Sequence, residues 1–190
     1  SKDFDLGLSD QIWILADMDS DTQFETSTGP SDEIIISTAA SLMKKYSSEN
    51  IPVGFIANGD RNIRLECKSG EAHFEEALTE MASLKAEGNT NFDALVGSVS
   101  RQWTSNSSVV LITTASNTEW IPRLIDLSYK KVNVTVVIAN EDSTQDTQSF
   151  REQISQLSEL GISPYVIYSQ ETLSDSLSET HFKRESRQHG

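Results

Sequence analysis

Cysteine and long hydrophobic runs are nearly absent from this sequence, and both shortages narrow the class of protein. Cys67 is the single cysteine among 190 residues, so an internal disulfide is excluded, which fits a reducing compartment. No apolar run approaches the roughly 20 residues that cross a bilayer, which predicts no membrane insertion by this chain. The N-terminal SKDFDLGLSD also lacks the apolar stretch of a secretory signal peptide. We therefore expect a cytoplasmic location.

Basic residues are scarce as well, with 15 Lys and Arg against 29 Asp and Glu and a formal net charge of -14. A nucleic-acid binder needs a basic face to displace phosphate counterions, so nucleic acid is not an expected partner. The C-terminal HFKRESRQHG is the one locally basic stretch. We expect residues 183–190 to form a flexible basic tail.

What the chain does contain suits one globular domain. Its length, with 36% hydrophobic and 7% aromatic residues, is enough for a substantial core. No internal repeat or interdomain linker is visible, so residues 1–182 are predicted to form a single domain. Because no initiator methionine precedes Ser1, we expect the chain to be part of a longer protein.

Short apolar runs alternate with segments of helical character. Most of the runs are continuous and rich in Val and Ile, as in strands buried on both faces of a sheet. The six predicted strands are 12–16, 53–57, 63–67, 109–113, 134–139 and 164–168. The predicted helices are 31–46, 71–88, 91–103, 116–131, 149–161 and 171–182. This alternation predicts a three-layer α/β/α sandwich around a mainly parallel six-stranded sheet.

The second and third strands break the alternation. Only NGDRN, residues 58–62, separates them, and this is too short for a parallel crossover. The dipeptide Asn58-Gly59 is also a strong hairpin signal. The third strand is therefore predicted to pair antiparallel with the second.

Oxygen-bearing side chains follow the strands at the edge where open parallel sheets bind their ligands. Asp17, Asp19 and Asp21 follow the first strand at alternate positions, and Thr113 and Thr114 lie at the same end of the fourth. Thr90 lies in the loop before a helix that returns the chain to the same edge. These segments are predicted to converge, and their carboxylate and hydroxyl oxygens suit Mg²⁺ or Ca²⁺.

Four stretches together resemble a von Willebrand factor A-type domain of the bacterial and archaeal family called domain of unknown function 58. They are QIWILADMDSD, ISTAASLMKKY followed by IPVGFIANGD, LKAEGNTNFDAL, and VVLITTASNTEWIPRLIDLSYKKVNVTVVIA. They cover most of residues 11–139 in the family's order. The resemblance implies that the antiparallel third strand lies at one edge of the sheet.

The family's metal-ion-dependent adhesion site uses an Asp-x-Ser-x-Ser motif, a loop threonine and an aspartate after the fourth strand. By this resemblance Asp17 matches the first position and Thr90 the loop threonine. Asp19 and Asp21 stand in place of the serines, and Thr114 stands in place of the last aspartate. The implied site is therefore degenerate. Either the extra carboxylates compensate and hold Mg²⁺ or Ca²⁺, or the site no longer binds metal.

The resemblance also implies a function and a setting. It implies a non-catalytic module for protein interaction or assembly, in a parent protein that carries membrane-spanning segments and works with a MoxR-type AAA ATPase. This chain would then be the cytoplasmic domain of a membrane-anchored parent. We predict that a protein partner contacts the loops 17–30, 88–92 and 114–120. The candidate contact residues are Asp17, Asn89, Thr90, Asn117 and Trp120, although for Trp120 a packing role is favoured over an exposed one.

An enzyme is the competing hypothesis. ILADMDSDT also matches the strand followed by Asp-x-Asp that opens haloacid dehalogenase-type phosphatases. Asp17 would then be the nucleophile and Asp19 the general acid/base around magnesium, with VVLITT supplying a hydroxyl and Glu141 and Asp142 the late acidic pair. A lysine at 130–131 would have to neutralise the phosphoryl group. Both lysines precede their strand whereas Asp17 ends its own, so we favour the non-catalytic interpretation.

Overall fold

The computed structural model describes residues 10–26, 29–140 and 147–168. The strands are β1 (Gln11–Ala16), β2 (Glu25–Thr26), β3 (Gly29–Pro30), β4 (Val53–Asn58), β5 (Asn62–Lys68), β6 (Ser107–Thr114), β7 (Asn133–Asn140) and β8 (Tyr165–Tyr168). The helices are α1 (Ser31–Ser48), α2 (Glu71–Ser83), α3 (Phe92–Val99), α4 (Arg123–Tyr129) and α5 (Gln148–Glu159). Short 3-10 turns follow β1 at Ser20–Thr22 and α3 at Ser100–Gln102.

Six of the strands form one sheet in the order β5-β4-β1-β6-β7-β8. Every neighbouring pair is parallel except β4 and β5, which pair antiparallel at one edge. The predicted hairpin and its place at the edge are confirmed. In the parallel part, the strands β1, β4, β6 and β7 end at the same edge, which is called the carboxyl edge below.

Two hydrophobic cores lie on opposite faces of the sheet, because its central strands are apolar on both sides. On one face, α1 and α2 pack against the strands through residues such as Ile35, Leu42 and Met81. On the other face, α3, α4 and α5 pack through residues such as Leu95, Leu127 and Leu157. The predicted three-layer α/β/α architecture is confirmed.

Helices α2, α3 and α4 are each shorter than the sequence predicts. Helix α3 ends at Val99, where the chain continues in a 3-10 turn, rather than at Trp103. Helix α2 ends at Ser83 rather than at Gly88, because residues 84–90 leave the helix and run beside the loop that follows β1. Helix α4 begins at Arg123, after turns in 116–122. The predicted helix 171–182 and the predicted tail 183–190 lie outside the described residues. In the part of the chain that the structure describes, no helix combines the length and the apolar character needed to cross a membrane.

Candidate functional site

Asp17 is the centre of the carboxyl edge. It directly follows β1, between the ends of β4 and β6, and its side chain is fully buried. Its Oδ2 accepts a 2.6 Å hydrogen bond from the Thr113 hydroxyl, and its Oδ1 accepts a 3.1 Å bond from the Asp19 N–H. Burial raises the pKa of Asp17 to about 6, because the charged form loses its hydration, and these hydrogen bonds offset only part of that effect.

The three alternate carboxylates do not converge. Asp19 is 4% exposed and caps the 3-10 turn that follows, where its Oδ1 accepts a hydrogen bond from the Asp21 N–H. Asp21 itself is exposed to solvent. Among the described residues, no group of three or more His, Cys, Asp or Glu side chains is placed to hold a metal ion.

The hydroxyl of Thr114 points away from Asp17. It donates to the Thr22 carbonyl at 2.7 Å and is 2.8 Å from the hydroxyl oxygen of Ser116. Successive side chains of a strand lie on opposite faces, so Thr113 and Thr114 cannot both face the same group. Thr113 is the residue that contacts Asp17, and the sequence analysis had assigned the ligand position to Thr114.

Asn58 connects the loop after β1 to the 88–90 loop, and the sequence analysis placed it only in the hairpin turn. Its side chain is fully buried, with Oδ1 accepting from the Met18 N–H at 2.8 Å and Nδ2 donating to the Thr90 carbonyl at 2.6 Å. Asn58 ends β4, the neighbour of β1. Knowledge of the strand order would therefore have pointed to it as a residue of this edge.

Gly88 brings the 84–90 segment against the loop after β1. Its N–H donates to the Met18 carbonyl at 3.2 Å, and its carbonyl accepts from the Ser20 N–H at 3.0 Å. A Cβ at this position would lie 1.8 Å from the Asn58 carbonyl oxygen, so only glycine permits this approach. The predicted convergence of the 17–21 and 88–90 segments is present in the structure, held by backbone contacts.

Trp120 is buried, which corrects its inclusion among the contact residues. It is 1% exposed, and its ring packs edge-on against Phe92 with the centroids 5.8 Å apart. Its indole N–H donates to the Asn117 carbonyl at 3.2 Å. Gln153 of α5, another residue that the sequence analysis missed, donates through Nε2 to the carbonyls of Thr114 and Asn117. Trp120 and Gln153 thus hold the 114–120 loop in place through hydrogen bonds to its backbone carbonyls.

The solvent-facing part of the edge is smaller than the sequence predicts. Asn89 is exposed, and Thr90 and Asn117 are partly exposed. Asp17, the remaining candidate contact residue, has no exposed surface, so it supports the edge without contacting a partner directly. The surface is therefore formed by Asn89, Thr90 and Asn117, with the exposed Asp21 beside them.

The described side chains do not fit a shell for a hard divalent cation. Such ions need several oxygens that are free to converge on one point. Both oxygens of Asp17 already accept hydrogen bonds from the protein, and the Thr114 hydroxyl is engaged at Thr22. Each oxygen of Asp17 thus has at least one protein donor, and the remaining described side chains do not converge on it.

The geometry does not support the phosphatase hypothesis. Lys130 follows α4, and its Nζ donates to the Ser100 carbonyl, which precedes β6. Of the residues that the structure describes, none forms an ion pair with Asp17. The acidic pair Glu141 and Asp142 lies outside the described residues. Among the described residues, Asp17 therefore has no cationic neighbour of the kind that a phosphoryl intermediate requires.

Comparisons with solved structures show the same fold. An aerotolerance-related membrane protein from Bacteroides fragilis, with multiple mutations to serines, is 15% identical with a TM-score of 0.54, and the match covers 92% of this chain and 96% of that chain. The manganese-loaded TRAP protein of Plasmodium vivax is 15% identical with a TM-score of 0.57, over 90% of this chain and 71% of that one. A von Willebrand factor type A protein from Catenulispora acidiphila is 12% identical with a TM-score of 0.50, over 90% of this chain and 41% of that one.

Comparison of the sequence with known proteins identifies the family. No curated protein matches the chain. The family model described as "Protein of unknown function DUF58" matches residues 2–145, which include β1 to β7 and the whole edge around Asp17. With this match and its von Willebrand factor A-like fold, the chain belongs to the DUF58 family.

Proposed function

We propose that this domain is a non-catalytic module for protein interaction or assembly, and that its contact surface is the loop edge formed by Asp21, Asn89, Thr90 and Asn117. The main support for the proposal is that the buried carboxyl group of Asp17 accepts hydrogen bonds from the Asp19 N–H and the Thr113 hydroxyl. The Asp17 carboxyl group is buried away from solvent, while polar side chains of three separate loops remain wholly or partly exposed around it. The fold and the family support an interaction role.

Hydrogen bonds hold this surface in one arrangement. Asn58 joins the loop after β1 to the 88–90 loop, and Gln153 joins α5 to the 114–117 loop. A surface whose loops are held in place loses less conformational entropy when a partner binds. This makes the edge suited to the recognition of a partner.

We further propose that the site is a degenerate form of the metal-ion-dependent adhesion site. One structural neighbour, the Plasmodium vivax protein, is manganese-loaded. In this chain Mg²⁺ or Ca²⁺ would have to be held by Asp17, Asp19, Asp21, Thr90 and Thr114. The hydrogen bonds of Asp17 and Thr114 support the alternative, in which protein donors replace the cation.

The proposed partner is a MoxR-type AAA ATPase, and the proposed setting is the cytoplasmic side of a membrane-anchored parent protein. The family resemblance supports the partner. For the setting, support comes from the Bacteroides fragilis neighbour, which is a membrane protein.

The test measures binding of a purified MoxR-type AAA ATPase from the same organism to the immobilised domain by biolayer interferometry. Asp21→Arg changes the charge of the proposed surface, and Glu75→Arg makes the same change at an exposed site on α2, away from that surface. We expect Asp21→Arg to weaken binding about tenfold or more, as for a contact residue, and Glu75→Arg to leave it unchanged. Equal binding by both variants would exclude this edge as the contact surface, and no binding by the wild type would exclude the ATPase as the partner.

A further inference from the structure

A second surface lies on the outer side of the helix layer, where α3 and the turn that follows it face α4. The residues here line a cleft of about 390 Å³. Three of them are cationic, Arg101, Arg123 and Lys130, and one is anionic, Asp126. Asp93, which pairs with Arg123, adds a second anion, so these five side chains carry a net charge of +1, whereas the whole chain carries -14.

Exposed apolar surface is found beside the same cations. Ile125 is 43% exposed and Tyr129 is 83% exposed, and among the described residues they are the large hydrophobic side chains that face solvent. They are four residues apart on α4, so they lie on the same side of the helix. Tyr129 also lines the cleft. A cationic cleft therefore adjoins an exposed aromatic ring.

Arg123 is held in position across the two helices. Its Nε donates to Asp93 Oδ1 at 2.8 Å and its Nη2 lies 3.4 Å from Asp93 Oδ2. Its guanidinium rests against Gly97, where a Cβ would be only 3.0 Å from Cζ. The side chain is still 46% exposed, so it keeps donor groups for another acceptor.

Helix stability alone does not explain this arrangement. Arg101 and Lys130 follow helix C-termini, where cations interact favourably with the helix dipole. Arg123, however, is the first residue of α4, where a cation opposes the dipole. Arg101 also forms no hydrogen bond or ion pair through its side chain with any described residue. Arg123 is therefore not positioned for the stability of its own helix.

We propose that this cleft binds a short acidic segment of a partner protein. Carboxylates of the segment contact Arg101, Arg123 and Lys130, and an apolar side chain of the segment packs on Tyr129. A short segment responds to the local charge, because charges beyond about 10 Å are screened at 0.1 M salt. A long polyanion such as nucleic acid would also meet the acidic remainder of the surface. This binding site is separate from the loop edge around Asp17, and it goes beyond the proposed function.

The test uses a phage-displayed library of random dodecapeptides, selected against the immobilised wild-type chain. We expect the recovered peptides to be enriched in Asp and Glu next to an aliphatic or aromatic residue. One recovered peptide is then synthesised with a fluorophore and titrated by anisotropy. We expect binding to weaken as NaCl rises from about 50 mM to about 300 mM, since charge pairs are screened by salt.

Two matched variants locate the site. Arg101→Glu/Lys130→Glu reverses two cations in the cleft, and Lys44→Glu/Lys68→Glu reverses two exposed cations elsewhere, so both carry the same net charge. We expect the first to lose affinity about tenfold or more and the second to change less than about twofold, because the loss requires removal of contacts. Tyr129→Ser is expected to weaken binding without a change in charge. Thermal melts check that each variant is folded.

Several results would overturn the proposal. One is a selection that yields no binders, or binders that are not acidic. Another is equal loss of affinity in the two charge-reversed variants. If light scattering shows a dimer that Tyr129→Ser converts to monomer, a second copy of the chain covers the surface instead. If a single-stranded oligonucleotide binds with the same dependence on Arg101 and Lys130, the surface recognises nucleic acid rather than a peptide.

Discussion

The hydroxyl of Thr113 donates a 2.6 Å hydrogen bond to Asp17 Oδ2 in the interior of the protein, between residues 96 positions apart in the sequence. The bond closes one side of a carboxyl group that has no exposed surface. The hydrogen bond lowers the pKa of Asp17, but the loss of hydration on burial has the larger effect and raises that pKa to about 6. The candidate site therefore contains a carboxyl group that changes charge near neutral pH inside the fold.

The first prediction concerns the pH dependence of stability. The pKa of Asp17 is raised from 3.8 to about 6. The contribution of Asp17 to the stability of the folded state is therefore most favourable below pH 3.8 and is lost as the pH rises through 6. The ionised form is then disfavoured by about 3 kcal/mol relative to low pH. The asparagine side chain in Asp17→Asn is neutral at all these pH values. We therefore expect the free energy of unfolding of the variant, minus that of the wild type, to increase between about pH 4 and about pH 7.5.

Urea unfolding in the presence of a chelator measures this difference at each pH. Asp126→Asn, at an exposed position on α4, serves as the control for general loss of a negative charge. A difference between Asp17→Asn and wild type that stays constant with pH would contradict the prediction.

The second prediction concerns divalent cations. A cation that binds only the folded state, and is present at a concentration about 100 times its Kd, would stabilise that state by about 2.7 kcal/mol. Because the oxygens of Asp17 already accept hydrogen bonds from the protein, we expect millimolar Mg²⁺ or Ca²⁺ to leave the Tm of the wild type unchanged. Differential scanning fluorimetry checks this. A rise in Tm that Asp17→Asn abolishes would instead establish a cation site.

The third prediction concerns Asn58. Asn58→Ala removes the acceptor of the Met18 N–H and the donor to the Thr90 carbonyl, both in the interior of the edge. We expect a loss of stability of about 2–4 kcal/mol, because each buried group left without a partner costs about 1–3 kcal/mol. Asn62→Ala in the same hairpin is exposed and is expected to change stability by less than about 0.5 kcal/mol. Similar losses in both variants, measured by urea unfolding, would show that Asn58 does not connect the loops.

The fourth prediction compares two glycines. Gly88→Ala places a Cβ 1.8 Å from the Asn58 carbonyl oxygen, so the backbone of the 84–90 segment must shift. Gly97→Ala meets only the flexible end of Arg123, at 3.0 Å, and gains helix propensity. We expect Gly88→Ala to lower the Tm clearly and Gly97→Ala to leave it nearly unchanged. Hydrogen exchange of the Ser20 amide, which bonds to the Gly88 carbonyl, reports directly on the shift. Unchanged exchange in Gly88→Ala would contradict this account.

The fifth prediction concerns catalysis. A phosphatase that uses an aspartate nucleophile needs an exposed carboxylate and a nearby cation, whereas Asp17 is buried and forms no ion pair with a described residue. We expect no hydrolysis of p-nitrophenyl phosphate above the buffer blank in millimolar Mg²⁺. Phosphate release that disappears in Asp17→Asn would establish an enzyme and overturn the interaction-module proposal.

Local sequence patterns determined most of the architecture. Runs of Val and Ile predict buried strands because both faces of such strands meet apolar helices. Asn58-Gly59 predicts the antiparallel hairpin because the five residues 58–62 cannot carry a parallel crossover. The position of Asp17 after the first apolar run was also sufficient to place it at the carboxyl edge. Each of these inferences depends on neighbours in the sequence, which is why the sequence alone supports them.

The internal arrangement of the site depended on tertiary structure. The register of β1 against β6 pairs Ala16 with Ile112, and this pairing sets Thr113 rather than Thr114 beside Asp17. Nothing in either strand fixes that register, because it arises when the whole sheet packs between its helices. Trp120 is buried because Phe92, on a helix that comes earlier in the chain, packs against its ring. Asn58 connects two loops because β4 lies next to β1. The sequence by itself determined which groups reach this edge, and long-range packing decided which of them are buried and which face solvent.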